Sequence, residues 1–284
     1  MAQLIQMRQR IKAIETIKKV THAMRLISMS MHSRLRGKTP LLKNYNNELT
    51  KIFKKLRFSN PGWTNHIMHP KSPKETNPLL IIIGSQKGLC GNFNTGLFKE
   101  FEKTFSSEKL KHTSIIAVGK KAVDYILQKQ TKTLTKQFTE LTTRNFTDIS
   151  NQIVDEIIET KKPYSCVTII SNKLKTFFIQ VPKVFDLIPL ENNIEEDFSK
   201  ELADDYIWYQ DSKDLLNSIA PQYIASNINT ALLESLLAEQ AARFLSMDVA
   251  TRNAKTLLEE TQLKYNKLRQ HKITKELTEL STNF

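Results

Sequence analysis

LIQMRQRIKAIETIKKVTHAMRLISMSMHSRL, residues 4–35, is the stretch that decides the fold. Apolar side chains recur along it at steps of three and four: Leu4, Met7, Ile11, Ile14, Ile17, Val20, Met24, Ile27, Met31 and Leu35. That spacing predicts an amphipathic helix with a coiled-coil seam. Two consecutive steps of three, from Ile14 through Ile17 to Val20, shift the heptad phase as a stammer does. Residues 1–36 contain no Gly or Pro, so nothing there breaks a helix. Past Gly37 and Pro40, where a kink is expected, the period resumes at Leu42, Tyr45, Leu49, Ile52, Phe53 and Leu56. One helix to about Phe58 is predicted, roughly 85 Å long at 1.5 Å per residue. Such a helix needs a partner to cover its stripe.

The partner lies at the other end of the chain. Residues 222–284 also lack Gly and Pro, and their apolar or small residues keep the period: Ile224, Ile228, Ala231, Ser235, Ala238, Ala242, Leu245 and Val249, then Leu257, Tyr265, Leu268, Ile273, Leu277 and Leu280. Alanines in that stripe permit close helix approach. Two long helices flanking a compact middle imply an antiparallel pair. The middle alternates strand and helix: strands at 78–84, 113–119 and 133–138, helices at 94–106, 120–130 and 148–160, then paired strands 165–171 and 175–181 joined at Asn172-Lys173. This βαβ rhythm is that of a doubly wound, Rossmann-like sheet. Residues 60–77 and the acidic stretch 186–204 read as loops. The expected fold class is thus α/β, a long antiparallel coiled coil of N- and C-terminal helices (1–58 and 222–284) plus a Rossmann-like α/β domain (78–210).

Charge is distributed unevenly. Residues 1–60 hold fourteen Lys and Arg against Glu15 and Glu48 alone, so this arm carries a net +12 of the chain's +13. An acidic partner around that arm is the physical expectation. No run of about 18 apolar residues would span a membrane. The opening MAQLIQMRQR passes directly into the helical pattern without the apolar region of a secretory signal. Cys90 and Cys166 sit in separate apolar segments and read as buried, reduced thiols.

The motifs point away from chemistry. Gly84-Ser85-Gln86-Lys87-Gly88-Leu89-Cys90-Gly91 follows a strand and precedes a helix, where a phosphate-binding loop would lie, but its spacing fits neither GxxxxGK[ST] nor GxGxxG. A structural strand-to-helix turn is the reading. The six histidines, His66 and His69 included, show no metal-ligand spacing, and no Ser/His/Asp or Cys/His set stands out. No catalytic residue, metal ligand or cofactor is assigned. Basic helices can also bind nucleic acid, but stacking aromatics and a helix-turn-helix are missing.

Three segments together resemble the gamma subunit of F-type ATP synthases. One is Arg10-Ile11-Lys12 with Lys18-Lys19-Val20-Thr21-His22-Ala23-Met24-Arg25-Leu26, similar to the family's RIK…QKITKAM. Another is Ser85 to Asn94, similar to SDRGLCGGFN. The third is the closing helix, from Leu237-Ala238-Glu239-Gln240-Ala241-Ala242-Arg243-Phe244 and Met247-Asp248 through Ala250-Thr251-Arg252-Asn253-Ala254 and Leu263-Lys264-Tyr265-Asn266-Lys267 to Arg269-Gln270-His271-Lys272-Ile273-Thr274-Lys275-Glu276-Leu277-Thr278-Glu279. The resemblance covers essentially the whole chain, in order. Three positions depart from the pattern: Gln86-Lys87 replaces Asp-Arg, His22 replaces Lys, and Tyr206-Ile207-Trp208-Tyr209-Gln210 replaces YxYEP.

The resemblance implies a non-catalytic rotor. Its two helices would form a shaft inside a ring of alternating alpha and beta subunits. Its α/β foot would sit with the epsilon subunit on a membrane ring of c subunits, one copy per complex. Proton flow would turn the ring and foot, and the shaft would drive the beta subunits through their states. By the same resemblance Arg269, Gln270 and Thr274 would contact a beta subunit near the shaft tip, Met24 and Arg243 would lie near a second contact, and Tyr206 would belong to the c-ring side of the foot. The implied location is peripheral, on the cytoplasmic face of a bacterial inner membrane.

Overall fold

The computed structural model describes residues 2–60, 62–65, 67–69, 77–129, 133–160, 163–189 and 210–282. In chain order its elements are α1 (Ala2–Ser59), β1 (Pro78–Ile83), α2 (Phe93–Thr104), α3 (Ser107–Leu110), β2 (Ser114–Val118), α4 (Lys120–Gln128), β3 (Leu134–Phe138), α5 (Phe146–Glu159), β4 (Cys166–Thr176), β5 (Ile179–Ile188) and α6 (Ser212–Thr282). The chain divides into two compact units, one of residues 31–242 and one of residues 1–30 with 243–284. Both long helices contribute to each.

In the larger unit one five-stranded sheet runs β3-β2-β1-β4-β5. β1 lies parallel to both β2 and β4, β3 is parallel to β2, and β5 closes the edge antiparallel to β4. The apolar run at 79–83 makes β1 the central strand, buried on both faces as parallel strands are. Its side chains alternate between two cores. Leu79, Ile81 and Ile83 join Ile149, Ile153 and Ile157 of α5, with Leu232, Leu233 and Leu236 of α6 and Leu35, Phe53 and Leu56 of α1. Leu80 and Ile82 join Leu97 and Phe101 of α2 and Val123 and Ile126 of α4. Each fully buried Ile or Leu contributes about 1.5–3 kcal/mol relative to exposure, so this double-sided core anchors the unit.

Both long helices run through a proline, and the C-terminal one begins earlier than the sequence suggests. α1 runs α-helical through Pro40, giving up one backbone hydrogen bond there; Leu35 on one side and Leu49, Phe53 and Leu56 on the other are buried. α6 begins at Ser212, before Pro221. Asp211 caps it, its Oδ1 accepting from the Lys213 N–H at 3.0 Å, and Leu216 and Ala220 hold the early turns in the core.

The β4–β5 hairpin turns at Phe177-Phe178, not at Asn172-Lys173. Asn172 is 2% exposed and its Nδ2 donates to the Phe93 carbonyl at 2.9 Å. An amide that sequence alone assigns to a turn is here satisfied inside the sheet. Phe177 at the actual turn meets the His32 ring edge-on at 5.0 Å. β5 continues to Ile188, into the stretch read as a loop, because Leu187 and Ile188 are core residues; the rest of that loop from 190 lies outside the described residues.

The α1 seam is the largest departure. Buried or half-buried side chains recur at 4, 7, 11, 14, 18, 21, 25, 28, 32, 35, 39, 42, 46, 49, 53 and 56, an unbroken alternation of three and four. There is no stammer. Lys18, Thr21, Arg25, Ser28 and His32 occupy the seam, while Ile17, Val20 and Ile27 are 55%, 52% and 60% exposed. α6 behaves likewise in the smaller unit: Met247, Ala254, Leu258 and Thr261 are buried, whereas Val249, Leu257, Ile273 and Leu277 face outward. The two helices run antiparallel there, since Arg8 meets Tyr265 and Arg25 meets Asp248.

Burial of His32 gives the larger unit a pH dependence. Desolvation first, and the Arg36 charge second, lower its pKa below the usual value; burial and Arg57 do the same for His69. The unfolded chain therefore binds more protons than the folded one just below pH 6.5, so stability is full above that value and falls as pH drops. Thermal unfolding at pH 7.5 and 5.0 should show the loss, and His32→Phe should reduce it. An equal loss in His32→Phe contradicts this assignment.

Candidate functional site

Both faces of the glycine turn are closed by its own neighbours. Gly84 sits so near α4 that a Cβ there would lie 2.9 Å from the Ala122 Cβ, and one on Gly119 would lie 2.3 Å from the Gly84 carbonyl oxygen. Gly119 has φ +89, so it supplies both the close approach and the left-handed backbone. The first three amides of the turn are occupied. The N–H of Gly84 donates to the Val118 carbonyl at 2.8 Å, that of Ser85 to Asn94 Oδ1 at 3.1 Å, and that of Gln86 to Glu239 Oε2 at 3.3 Å. Asn94 Nδ2 in turn donates to Ser85 Oγ at 2.7 Å.

The turn is a docking element for α6. Cys90 and Phe93 pack with Ala238 and Ala242, and the buried Glu239 carboxylate receives the Gln86 N–H beside them. Leu89 adopts φ 62 with its side chain 59% exposed, an uncommon backbone state for a non-glycine residue. One turn and a half earlier on α6, Glu234 binds Lys43 of α1 at 3.1 Å and Lys173 of β4 at 3.8 Å, tying both long helices to the sheet. Calorimetry of the chain with ATP should therefore show no micromolar binding. Binding that disappears in Gly88 or Gly91 variants would overturn this reading.

In the smaller unit Met24 is half-buried and Arg243 is 5% exposed. Arg25, next to Met24, pairs with Asp248 at 2.7 Å, and Arg252 binds the same carboxylate at 3.2 Å. Arg269, Gln270 and Thr274 are exposed, and the Thr274 hydroxyl donates to the Gln270 carbonyl at 3.0 Å. From Ile273 to Glu279 every side chain of α6 is exposed, so this helix end offers its whole circumference. Tyr206 and His66 lie outside the described residues. Sequence reasoning passed over Arg25, Asp248, Glu234 and Glu239. The one available signal was the i, i+4 spacing of Asp248 and Arg252 inside the closing motif.

Among the described residues no group of three or more His, Cys, Asp or Glu could hold a metal, and no helix is long and apolar enough to cross a membrane. Cys90 and Cys166 are both buried and lie outside any disulfide.

Comparison with known proteins agrees with this geometry. The family described as ATP synthase matches residues 3–283. The ATP synthase gamma chain of Pelagibacter ubique is 30% identical over 290 residues, spanning 99% of this chain and 98% of that relative. The ATP synthase gamma chain of Buchnera aphidicola is 30% identical over 289 residues, spanning 99% and 96%. Among solved structures, a chain of the Euglena gracilis mitochondrial ATP synthase (OSCP/F1/c-ring, rotational state 3) shares the fold with a TM-score of 0.71 at 16% identity, over 99% of this chain and 93% of that one. A chain from the rotor of the same complex has a TM-score of 0.66 at 15% identity, over 96% and 99%. With the family match spanning residues 3–283, this chain belongs to the ATP synthase family, among its gamma chains.

Proposed function

We propose that this chain is the rotating central-stalk subunit of an F-type, proton-translocating ATP synthase. The observation that carries the reading is a family match from end to end on a chain whose long helices pair antiparallel while turning apolar side chains outward. The paired helices act as the shaft inside a ring of alpha and beta subunits, and the α/β unit acts as the foot on a c-ring with epsilon. One copy serves each complex. Synthesis and hydrolysis of ATP take place on the ring subunits, and this chain carries no catalytic group. Its relatives are bacterial gamma chains, which supports a peripheral position on the cytoplasmic face of the inner membrane.

The charge pattern suits that role. Arg10, Lys12, Lys19, Arg34, Arg36 and Lys43 are exposed on α1, so a positive outer surface would face acidic loops of the ring as it turns. Arg269, Gln270 and Thr274 would bear on a beta subunit near the shaft end, with Met24 and Arg243 near a second contact and Tyr206 on the c-ring side of the foot.

Exposed ionic contacts contribute at most about 1 kcal/mol each and are screened by salt. Single Lys→Gln changes between Lys12 and Lys55 should therefore leave ATP-driven proton pumping in the reconstituted complex close to wild type. Gln270→Leu should be harsher, costing roughly 1–3 kcal/mol if it leaves a partner's hydrogen-bonding group unpaired. Steady-state hydrolysis and pumping, with assembly checked separately, measure both. If Gln270→Leu assembles and runs at the wild-type rate while DNA binding follows the Lys changes, the chain is a nucleic-acid tether and not a rotor.

A further inference from the structure

Two seams compete on α1. One is apolar: Ile14, Ile17, Val20, Met24, Ile27. The other is the one observed: Ile14, Lys18, Thr21, Arg25, Ser28. Beyond Ile14 they differ by one position, a roll of the helix of roughly 100°. The observed choice leaves Ile17, Val20 and Ile27 more than half exposed and buries Ser28 to 1%. It also packs loosely around Lys18, where Glu15, Lys19, His22, Thr251 and Leu258 line an open cleft of about 440 Å³. Apolar burial by itself would select the other seam.

Polar contacts across the seam oppose that roll. Arg25 Nη1 donates to Asp248 Oδ1 at 2.7 Å, both side chains 27% exposed. Asp248 Oδ2 is held by Arg252 Nη2 at 3.2 Å, so the carboxylate sits between guanidinium groups from the two helices. Arg25 Nη2 lies 3.2 Å from His22 Nδ1. One turn away, Thr251 Oγ1 donates to Thr21 Oγ1 at 3.0 Å. A roll of one position would bring Met24 to the place of Arg25 and Val20 to that of Thr21, stripping Asp248 of its cross-helix partner and breaking the Thr21–Thr251 contact, with the Thr251 hydroxyl left to the Met247 carbonyl of its own helix at 2.7 Å. Polar pairs at a helix interface select one arrangement at some cost in stability.

We infer that the Arg25–Asp248 ion pair, supported by Thr21–Thr251, is a phase lock: it fixes the rotational setting of α1 on α6 and so determines which face of the arm is turned outward. Arg25 and Asp248 are positioning residues. They act through Ile17, Val20 and Ile27, the apolar face that the lock keeps outside the helix pair. The inference goes beyond the rotor reading and does not require it.

The test reads the phase directly by disulfide formation in the full-length chain co-assembled with its ring subunits, using single-cysteine controls for the native thiols. With Arg25 and Asp248 intact, the Thr21→Cys/Thr251→Cys pair should bridge about tenfold faster than Val20→Cys/Thr251→Cys, because the Thr21 and Thr251 hydroxyls meet at 3.0 Å across the seam while Val20 is more than half exposed. Asp248→Arg should slow the first bridge and speed the second. Adding Arg25→Asp, which reverses the pair, should restore the original preference. An unchanged preference in Asp248→Arg, an equal loss of both bridges, or failure of the reversed pair to restore the preference overturns the lock. Failure of the chain to assemble with ring subunits at all counts against the rotor reading instead, and the same bridges are then compared on the full-length chain alone.

Discussion

Gly119→Ala is expected to unfold the α/β unit and abolish assembly, whereas Gly37→Ala is expected to be neutral or slightly stabilising. The first substitution puts a methyl 2.3 Å from the Gly84 carbonyl oxygen and 3.1 Å from that of Ser85, on a backbone with φ +89. Those atoms belong to the turn that carries β1 toward α2, and the Gly119 N–H is itself bonded to the Phe138 carbonyl at 2.7 Å. Nothing there is the movable end of a side chain. Overpacking and backbone strain together cost about 3–5 kcal/mol, a large share of the stability of a typical domain. Gly37 lies inside α1, where an added methyl would meet nothing within 4 Å, so Ala there gains roughly 0.5–1 kcal/mol of helix preference. Chemical denaturation of the two variants measures the contrast. Equal stabilities would mean that the Gly84–Gly119 contact does not hold the unit together.

Glu239→Ala is the second large effect. Its carboxylate is 2% exposed and accepts the Gln86 N–H, between two alanines of α6 that pack on Cys90 and Phe93. Removing it leaves the half-buried Gln86 N–H without this acceptor and opens a void at the contact between the glycine turn and α6. A loss of about 2–4 kcal/mol is expected. Glu239→Gln keeps the shape and an accepting oxygen, so it should lose appreciably less. Glu234→Ala removes an ionic bridge to Lys43 and Lys173 whose lysines are 47% and 43% exposed, and solvent screening limits its cost to about 1 kcal/mol. Thermal and denaturant unfolding of the three variants ranks them; Glu239→Ala within about 0.5 kcal/mol of wild type, near the error of such measurements, contradicts the docking role.

Much of this architecture was legible before any coordinates. The uninterrupted period in residues 4–35 announces a long helix, and the short, isoleucine-rich apolar run at 79–83 between Pro78 and Gly84 reads as a strand buried on both faces. The closing motif from Leu237 to Leu277 carries the family. What could not be read was rotational phase. Period analysis assigns Ile17, Val20 and Ile27 inward because it knows only hydropathy, yet the burial repeat of α1 runs unbroken from Leu4 to Leu56 and passes through Thr21 and Arg25, which bond Thr251 and Asp248 of α6. Asn172 misled for a related reason: its turn-like character is cancelled by the Phe93 carbonyl, a contact 79 residues away in sequence. Both glutamates that hold the α/β unit to α6 were invisible for the same cause, since nothing in a helical sequence says which carboxylate meets a backbone N–H from another element.

In the proposed function this chain turns inside a ring that stays still. The direct measurement fixes the alpha and beta subunits of the assembled complex to a surface, attaches a probe to an exposed residue of the α/β unit such as Glu108, and follows its angle when ATP is supplied. Continuous rotation in one direction, stopping when ATP is removed, is the expected result. A probe that stays at one angle while the same immobilised complexes hydrolyse ATP would contradict it.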